Sequence, residues 1–229
     1  MYYVLALGIL SILVIMLQPL KFVLKKREGF ASFGNKAIAS LLFCVAGAVA
    51  AGQRSMITWQ VAVLLFGMLL AAIGDCLLAM RPVFDDPKHE DFIFPMGGLS
   101  FAVAHVLTFV ALVSYVQFDL FPFDWRTLGF VLFLPLIYIG LWLRGNLELG
   151  KRGVPIVIYA LILGGILWAA MMANELLAVM VALLYMFSDT ALFFSNFGKK
   201  KCSERKLAWL VLLPYYAAQV ALAYLIMII

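Results

Sequence analysis

Residues 66–80 read Phe66-Gly-Met-Leu-Leu-Ala-Ala-Ile-Gly-Asp-Cys-Leu-Leu-Ala-Met80. The stretch is an apolar helix of membrane-spanning character with one carboxylate, Asp75, inside it. A charge at the centre of such a helix costs roughly 2.5–3.5 kcal/mol on insertion scales, so a chain keeps it where a partner, a cavity or a reaction holds it. A second carboxylate of this kind, Asp189, lies in Tyr185-Met-Phe-Ser-Asp-Thr190. The remaining sequence is expected to be the scaffold that brings the two acids together.

Working outward, the whole chain has the same character. Its 229 residues are 66% hydrophobic and 13% charged, with a mean hydropathy of +1.07, whereas soluble domains run at about 45–50% apolar and about 25% charged. The expectation is a single integral membrane domain over residues 1–229, all-α, with connections too short to form a soluble domain. The first apolar run has no Lys or Arg before it and no small-residue cleavage site after it, so it reads as a retained helix rather than a signal peptide. Cys44 and Cys76 fall in apolar helices and Cys202 in a basic loop, which implies no disulfide framework.

A span needs about 20 apolar residues. Eight segments qualify or nearly do, at about 2–24, 37–53, 57–79, 93–116, 127–143, 154–172, 175–197 and 207–228, the second and fifth being short. The net charge of +5 then belongs to topology rather than to nucleic acid. Lys21, Lys25, Lys26, Arg27 and Lys36 fall in the first connection, Arg81 and Lys88 in the third. Arg144, Lys151 and Arg152 fall in the fifth, and Lys199, Lys200, Lys201, Arg205 and Lys206 in the seventh. That places 15 of the 17 basic residues on one side and two, Arg54 and Arg126, on the other. The positive-inside rule makes the odd connections cytosolic and both termini non-cytosolic. Trp59, Trp125, Trp142, Trp168 and Trp209 lie near the expected helix ends, where an aromatic belt belongs. Small residues suggest packing surfaces: Gly67, Ala71 and Gly74 on the third helix, Ala48 and Gly52 on the second, Gly164 and Gly165 on the sixth.

A rise of about 1.5 Å per residue converts sequence position to depth. Asp75 lies roughly 6 Å, Asp189 roughly 12 Å and His105 roughly 18 Å inside the cytosolic boundary, with Gln219 level with His105. Tyr215 and Tyr216 precede Gln219 by one turn on the same face. Lys21 closes the first helix. This set suits an amphiphile entering from the inner leaflet, its headgroup near Lys21 and its chain deeper. Each of these residues also has a plainer reading. A lone membrane histidine such as His105 is as often a packing residue. Ser188 more often bonds its own helix than acts as a nucleophile, and Lys21 can simply snorkel. Asp85, Asp86, His89, Glu90 and Asp91 read as a solvated turn. With His89 and His105 the only histidines, a three-histidine zinc site is impossible, so no metal and no cofactor is expected.

Four motifs, Ala72-Ile-Gly-Asp-Cys-Leu-Leu78, Gly97-Gly-Leu-Ser-Phe-Ala-Val-Ala-His105, Phe187-Ser-Asp-Thr-Ala-Leu192 and Tyr215-Tyr-Ala-Ala-Gln219, together resemble the YhhN family of eight-helix membrane proteins, whose characterised members are lysoplasmalogenases. The resemblance runs over nearly the whole chain in order. It implies Asp75 and Asp189 as catalytic acids and His105, Ser188, Tyr215, Tyr216 and Gln219 as pocket residues. Where the family usually carries Lys-Pro-Leu, this chain has Gln18-Pro19-Leu20, which moves the headgroup role to Lys21.

A lysoplasmalogen carries a vinyl ether on its first glycerol carbon. Hydrolysis needs an acid to protonate the outer alkene carbon, a group that steadies the resulting oxocarbenium ion, and water. Two carboxyls in one low-dielectric pocket suit that division, one donating and one staying ionised, as in glycosidases. The expected partners are a lysophospholipid and membrane lipid, and the expected location is multi-pass in a bacterial inner membrane. The alternative reading is a proton-coupled transporter or lipid-binding membrane protein using the same acids as a relay. A purely structural bundle would leave two costly charges unexplained.

Overall fold

The computed structural model describes residues 2–21, 28–80, 87–115, 125–199 and 204–229. They form eight α-helices: α1 (Tyr2–Lys21), α2 (Glu28–Gly52), α3 (Trp59–Met80), α4 (Pro87–Tyr115), α5 (Trp125–Leu143), α6 (Gly153–Met172), α7 (Leu176–Phe197) and α8 (Glu204–Ile228). Among the described residues there is no strand. One isolated antiparallel bridge, Leu147 with Gly198, ties the α5–α6 connection to the end of α7, and a single 3₁₀ turn, Gly150–Arg152, leads into α6.

The eight expected segments are present. The second is not short, because α2 begins nine residues earlier than its apolar part, at Glu28. Six helices contain stretches long and apolar enough to cross a membrane: Phe33–Gly52, Trp59–Met80, Phe92–Tyr115, Gly153–Met172, Leu176–Phe197 and Trp209–Ile228. Among the residues whose side chains are described, α1 and α5 contribute the apolar stretches Tyr2–Leu17 and Val131–Leu143. Large apolar side chains such as Leu69, Phe133, Leu183 and Phe187 face outward, while Asp75, His105, Ser188, Asp189 and Gln219 are buried. That inside-out polarity is the membrane-helix pattern.

The packing has a clear division. Six helices close a ring in the order α2–α3–α4–α6–α7–α8, with α8 returning to α2. The other two lie outside it, α1 against α2 and α8, α5 against α6. Within the ring, α2, α3 and α8 form one three-helix group and α4, α6 and α7 another, joined by the α3–α4 and α7–α8 pairs. Hydroxyls tie neighbours by donating to backbone carbonyls: Ser11 to Ala39 at 2.7 Å, Ser100 to Leu70 at 2.7 Å and Ser188 to Val211 at 2.8 Å. Such bonds average about 0.6 kcal/mol in membrane bundles. At the end opposite the basic connections, Arg54 donates to the Ile226 carbonyl at 2.8 Å, where a cation complements the C-terminus of α8.

Small residues do mark helix contacts. A Cβ at Gly74 would lie 2.9 Å from the Phe101 ring and one at Gly97 would lie 2.9 Å from Leu78, so α3 and α4 pack at the distance only glycine allows. On α2 the surface differs from the expected one. Gly52 has nothing near it, Ala48 is exposed, and the buried residues are Ala46, Gly47 and Ala50, with Gly47 against Met68. The tightest approach is Gly164, where a Cβ would meet the Val131 carbonyl oxygen at 2.4 Å. Backbone on the opposing side cannot rotate away, so Gly164→Ala forces α5 off α6. We expect a loss of about 1–3 kcal/mol, read as a lower midpoint of thermal unfolding in detergent. Gly140→Ala, on α5 with nothing within 4 Å, should be neutral or slightly stabilising.

Candidate functional site

Each three-helix group holds one carboxylate, and in each the other two helices grip it. Asp75, on α3, is 3% exposed. Its Oδ2 accepts from Ser40 Oγ of α2 at 2.9 Å and from the Tyr216 hydroxyl of α8 at 3.0 Å, and these two hydroxyls are 3.1 Å apart. Lys36, one turn before Ser40, lies within electrostatic range of the carboxylate. Asp189, on α7, is gripped by the other group. Its Oδ2 accepts from the Tyr159 hydroxyl of α6 at 2.6 Å and lies 3.0 Å from His105 Nε2 of α4. With the proton on Nε2 the ring is the donor. Edge-on contacts with Tyr159 and Tyr185, at 5.6 and 4.7 Å between ring centroids, fix the imidazole plane.

Between the groups stands a layer of rings. Phe101, which fills the space left by Gly74, meets Tyr215 at 5.6 Å. Tyr215 meets Tyr216 at 5.1 Å and Tyr185 at 6.5 Å, and Tyr185 leads to His105. The two carboxylates share no hydrogen-bond partner in this arrangement. Two buried polar atoms in the same region, the Tyr215 hydroxyl and Gln219 Oε1, close no hydrogen bond of ordinary geometry among the described residues, although Tyr215 lies close to both Asp75 and Gln219.

One of the two carboxylates lines a cavity. A cavity of about 420 Å³ lies between α4, α5, α6 and α7, and its lining includes Asp189 but not Asp75. Asp75 is one helical turn from Leu78, which does line it. The walls are almost wholly apolar, with Phe101, Ile162, Leu192 and Phe193 among them; Tyr138, Tyr159 and Asp189 supply the polar atoms deep inside, Arg152 and Asn196 those near the basic end. Tyr138 is held by stacking on Phe193 at 4.3 Å and by a 2.9 Å hydrogen bond to Thr190. The volume and the few convergent polar groups are those of a small-molecule site.

The residues chosen from sequence therefore divide. His105 joins Asp189 and Tyr216 joins Asp75, with Tyr215 and Gln219 between. Ser188 does not line the cavity; its hydroxyl donates to the Val211 carbonyl, a tie between α7 and α8. Lys21 ends α1; its side chain lies outside the described residues, and none of the described side chains of α1 lines the cavity. Asp85 and Asp86 also lie outside the described residues, as do the side chains of His89, Glu90 and Asp91. Among the described residues no three His, Cys, Asp or Glu side chains converge as a metal centre would need. Sequence reasoning missed Ser40, Tyr159, Tyr138 and Arg152. The available signal was a lone phenol or hydroxyl in an otherwise apolar helix, which Tyr159 gives in α6.

The chain matches the family model described as the YhhN family over residues 31–226. No curated protein and no solved structure matches it.

Because Ser40 and Tyr216 serve one carboxylate and touch each other, their contributions should not add. In a double-mutant cycle of Ser40→Ala and Tyr216→Phe, followed by unfolding in detergent, we expect a coupling of at least about 0.5 kcal/mol. Additivity within about 0.3 kcal/mol would contradict the shared grip on Asp75.

Proposed function

The chain belongs to the YhhN family, and from that premise we propose that it is a membrane-embedded hydrolase of the lysoplasmalogenase type. It cleaves the vinyl ether of a lysoplasmalogen to a fatty aldehyde and a glycerophospho-headgroup. The observation that carries the reading is the apolar cavity ending on Asp189, with His105 and Tyr159 holding that carboxyl in place.

In this mechanism the substrate's chain fills the apolar part of the cavity and its vinyl ether lies against Asp189. The Asp189–His105 pair holds the proton that is delivered to the outer alkene carbon. The electron pair of the double bond forms the new C–H bond, and the ether oxygen shares the positive charge left on the adjacent carbon. The carboxylate that remains is acceptor-only, so it steadies the oxocarbenium ion and takes a proton from the water that adds to it. The hemiacetal then expels the glycerol oxygen, which recovers a proton, and the aldehyde is released. Tyr159 keeps the carboxyl aimed as its charge changes. Asp75, behind the aromatic layer, acts as a positioning residue: it anchors Tyr216 and, through ring contact, Tyr215 against Phe101 in the cavity wall. The basic connections face the cytosol in this reading, so the substrate comes from the inner leaflet of a cell membrane.

One observation favours a second reading. Two acids, Asp75 and Asp189, are buried in one helix bundle, and intramembrane acids are the groups a proton-coupled transporter uses. The readings separate in detergent, where an enzyme turns over and a transporter has no gradient to use. Purified protein incubated with lysoplasmalogen should release free aldehyde. General acid catalysis contributes about 10²–10⁴-fold, so Asp189→Asn should lower kcat by that order while the protein stays folded. Asp75→Asn should lower it less and leave substrate binding in place. A purified Asp189→Asn protein that turns over at the wild-type rate would end the hydrolase reading.

A further inference from the structure

The mouth of the cavity carries a cation that the reaction does not use. Arg152 is exposed, lines the cavity at the start of α6, and lies with its guanidinium carbon 5.5 Å from the centroid of the Phe94 ring. The Phe94 ring offers its face to the guanidinium, a cation–π contact, and the N-terminal end of α6 adds the positive end of its dipole. Asn196 lines the same level from α7 but is uncharged, and Arg152 is the cation among the residues that line the cavity.

The two helices that flank the cavity also set a length. Arg152 precedes Tyr159 by seven residues on the way into α6, and Asp189 precedes Asn196 by seven on α7. Because α6 and α7 pack together and run in opposite directions, Arg152 and Asn196 share one level and Tyr159 and Asp189 another, about 10 Å deeper at 1.5 Å of rise per residue. In an sn-1 alkenyl glycerol phosphate, seven bonds separate the phosphorus from the outer alkene carbon. Three bonds of a trans chain span about 3.8 Å, so seven span about 9 Å, which agrees within the reach of an arginine side chain.

We propose that Arg152 is the phosphate subsite of this cavity, and that its two-turn separation from Asp189 is a ruler selecting single-chain lipids whose phosphate sits on glycerol. The assignment rests on the hydrolase reading for the group at the deep end, but the anion site itself does not. It gives the headgroup role to the fifth connection rather than to Lys21. A guanidinium pairs a phosphate with two parallel hydrogen bonds, whereas an ammonium meets it as a point charge, so Arg152→Lys should keep part of the effect and Arg152→Gln none.

The test uses full-length purified protein and uncleavable saturated ether ligands, 1-O-alkyl-glycero-3-phosphoethanolamine and 1-O-alkylglycerol of the same chain. Wild type should bind the phosphorylated ligand about tenfold tighter, the gain of one charge-assisted pair. Arg152→Gln should erase that difference while binding 1-O-alkylglycerol as wild type does, which also shows that it is folded. Inorganic phosphate in millimolar excess should not displace the lipid; displacement would make this a free-phosphate site and overturn the lipid assignment. A ligand with two extra methylenes between ether and phosphate should lose the advantage, and equal binding of it would overturn the ruler. Equal weakening of both ether ligands by Arg152→Gln would reduce Arg152 to a support for Phe94. Arg152-dependent binding without aldehyde release from the vinyl ether would leave the anion site standing and remove the reaction.

Discussion

A carboxylate inside a helix bundle has to be met by donors, and the helix that carries it cannot supply them, because its own amides are spent on its own carbonyls. Asp75 and Asp189 therefore act as hubs. Each draws donors from two further helices, α2 and α8 for Asp75, α4 and α6 for Asp189. In lipid, apolar packing does little to choose one helix neighbour over another, since lipid tails are as apolar as leucine. The polar hubs do choose. Six helices contribute to the two grips, and they are the same six that close the ring, with α1 and α5 left outside. The stabilisation per bond is modest; what the hubs supply is specificity, because any other pairing would leave a buried charge unmet.

How much of this could be read in the sequence follows from what hydropathy measures. The eight helices were legible because each crosses an apolar interval of the expected length. The start of α2 was not, because its first turns carry Glu28, Asn35 and Lys36, and a helix that continues past the apolar interval leaves no hydropathy signal. The same holds for the polar first turns of α4. The acids were legible because a membrane carboxylate is costly. Their partners were not, because hydroxyls in apolar helices have two fates that look alike in sequence. Thr108, Ser114 and Ser195 bond carbonyls of their own helices, whereas Ser40 and Tyr159 reach another helix. Only placement separates the two. The small-residue surface of α2 failed for a related reason: Ala46, Gly47, Ala48, Ala50 and Gly52 offer several faces, and Met68 on α3 selects the one with Gly47.

Depth arithmetic placed both acids in the same half of the bundle but carried no angular information, and angle is what distinguishes them. Asp189 turns toward the space between α4 and α7. Asp75 turns toward α2 and α8, with Phe101 and Tyr215 between it and the cavity. The acids are then unequal by construction. One meets open space of about 420 Å³; the other is enclosed, met by two hydroxyls, and close to Lys36.

The cavity exists because α4 and α7 do not pack on each other. Each packs on α6, and their backbones stay apart along the described lengths. Side chains bridge the gap at two levels. Phe94 meets Phe197 at 6.0 Å between ring centroids near the basic end, and His105 meets Asp189 at 3.0 Å further in. The open volume is what lies between those bridges and beside α6. The inner bridge holds Asp189, which lines the cavity, against His105 of α4, which does not. Any ligand group that exchanges hydrogen bonds with Asp189 competes with the contact that holds α4 and α7 at their spacing. A single carboxylate oxygen, Oδ2, meets both Tyr159 and His105, so α6 and α4 are tied to α7 through one atom.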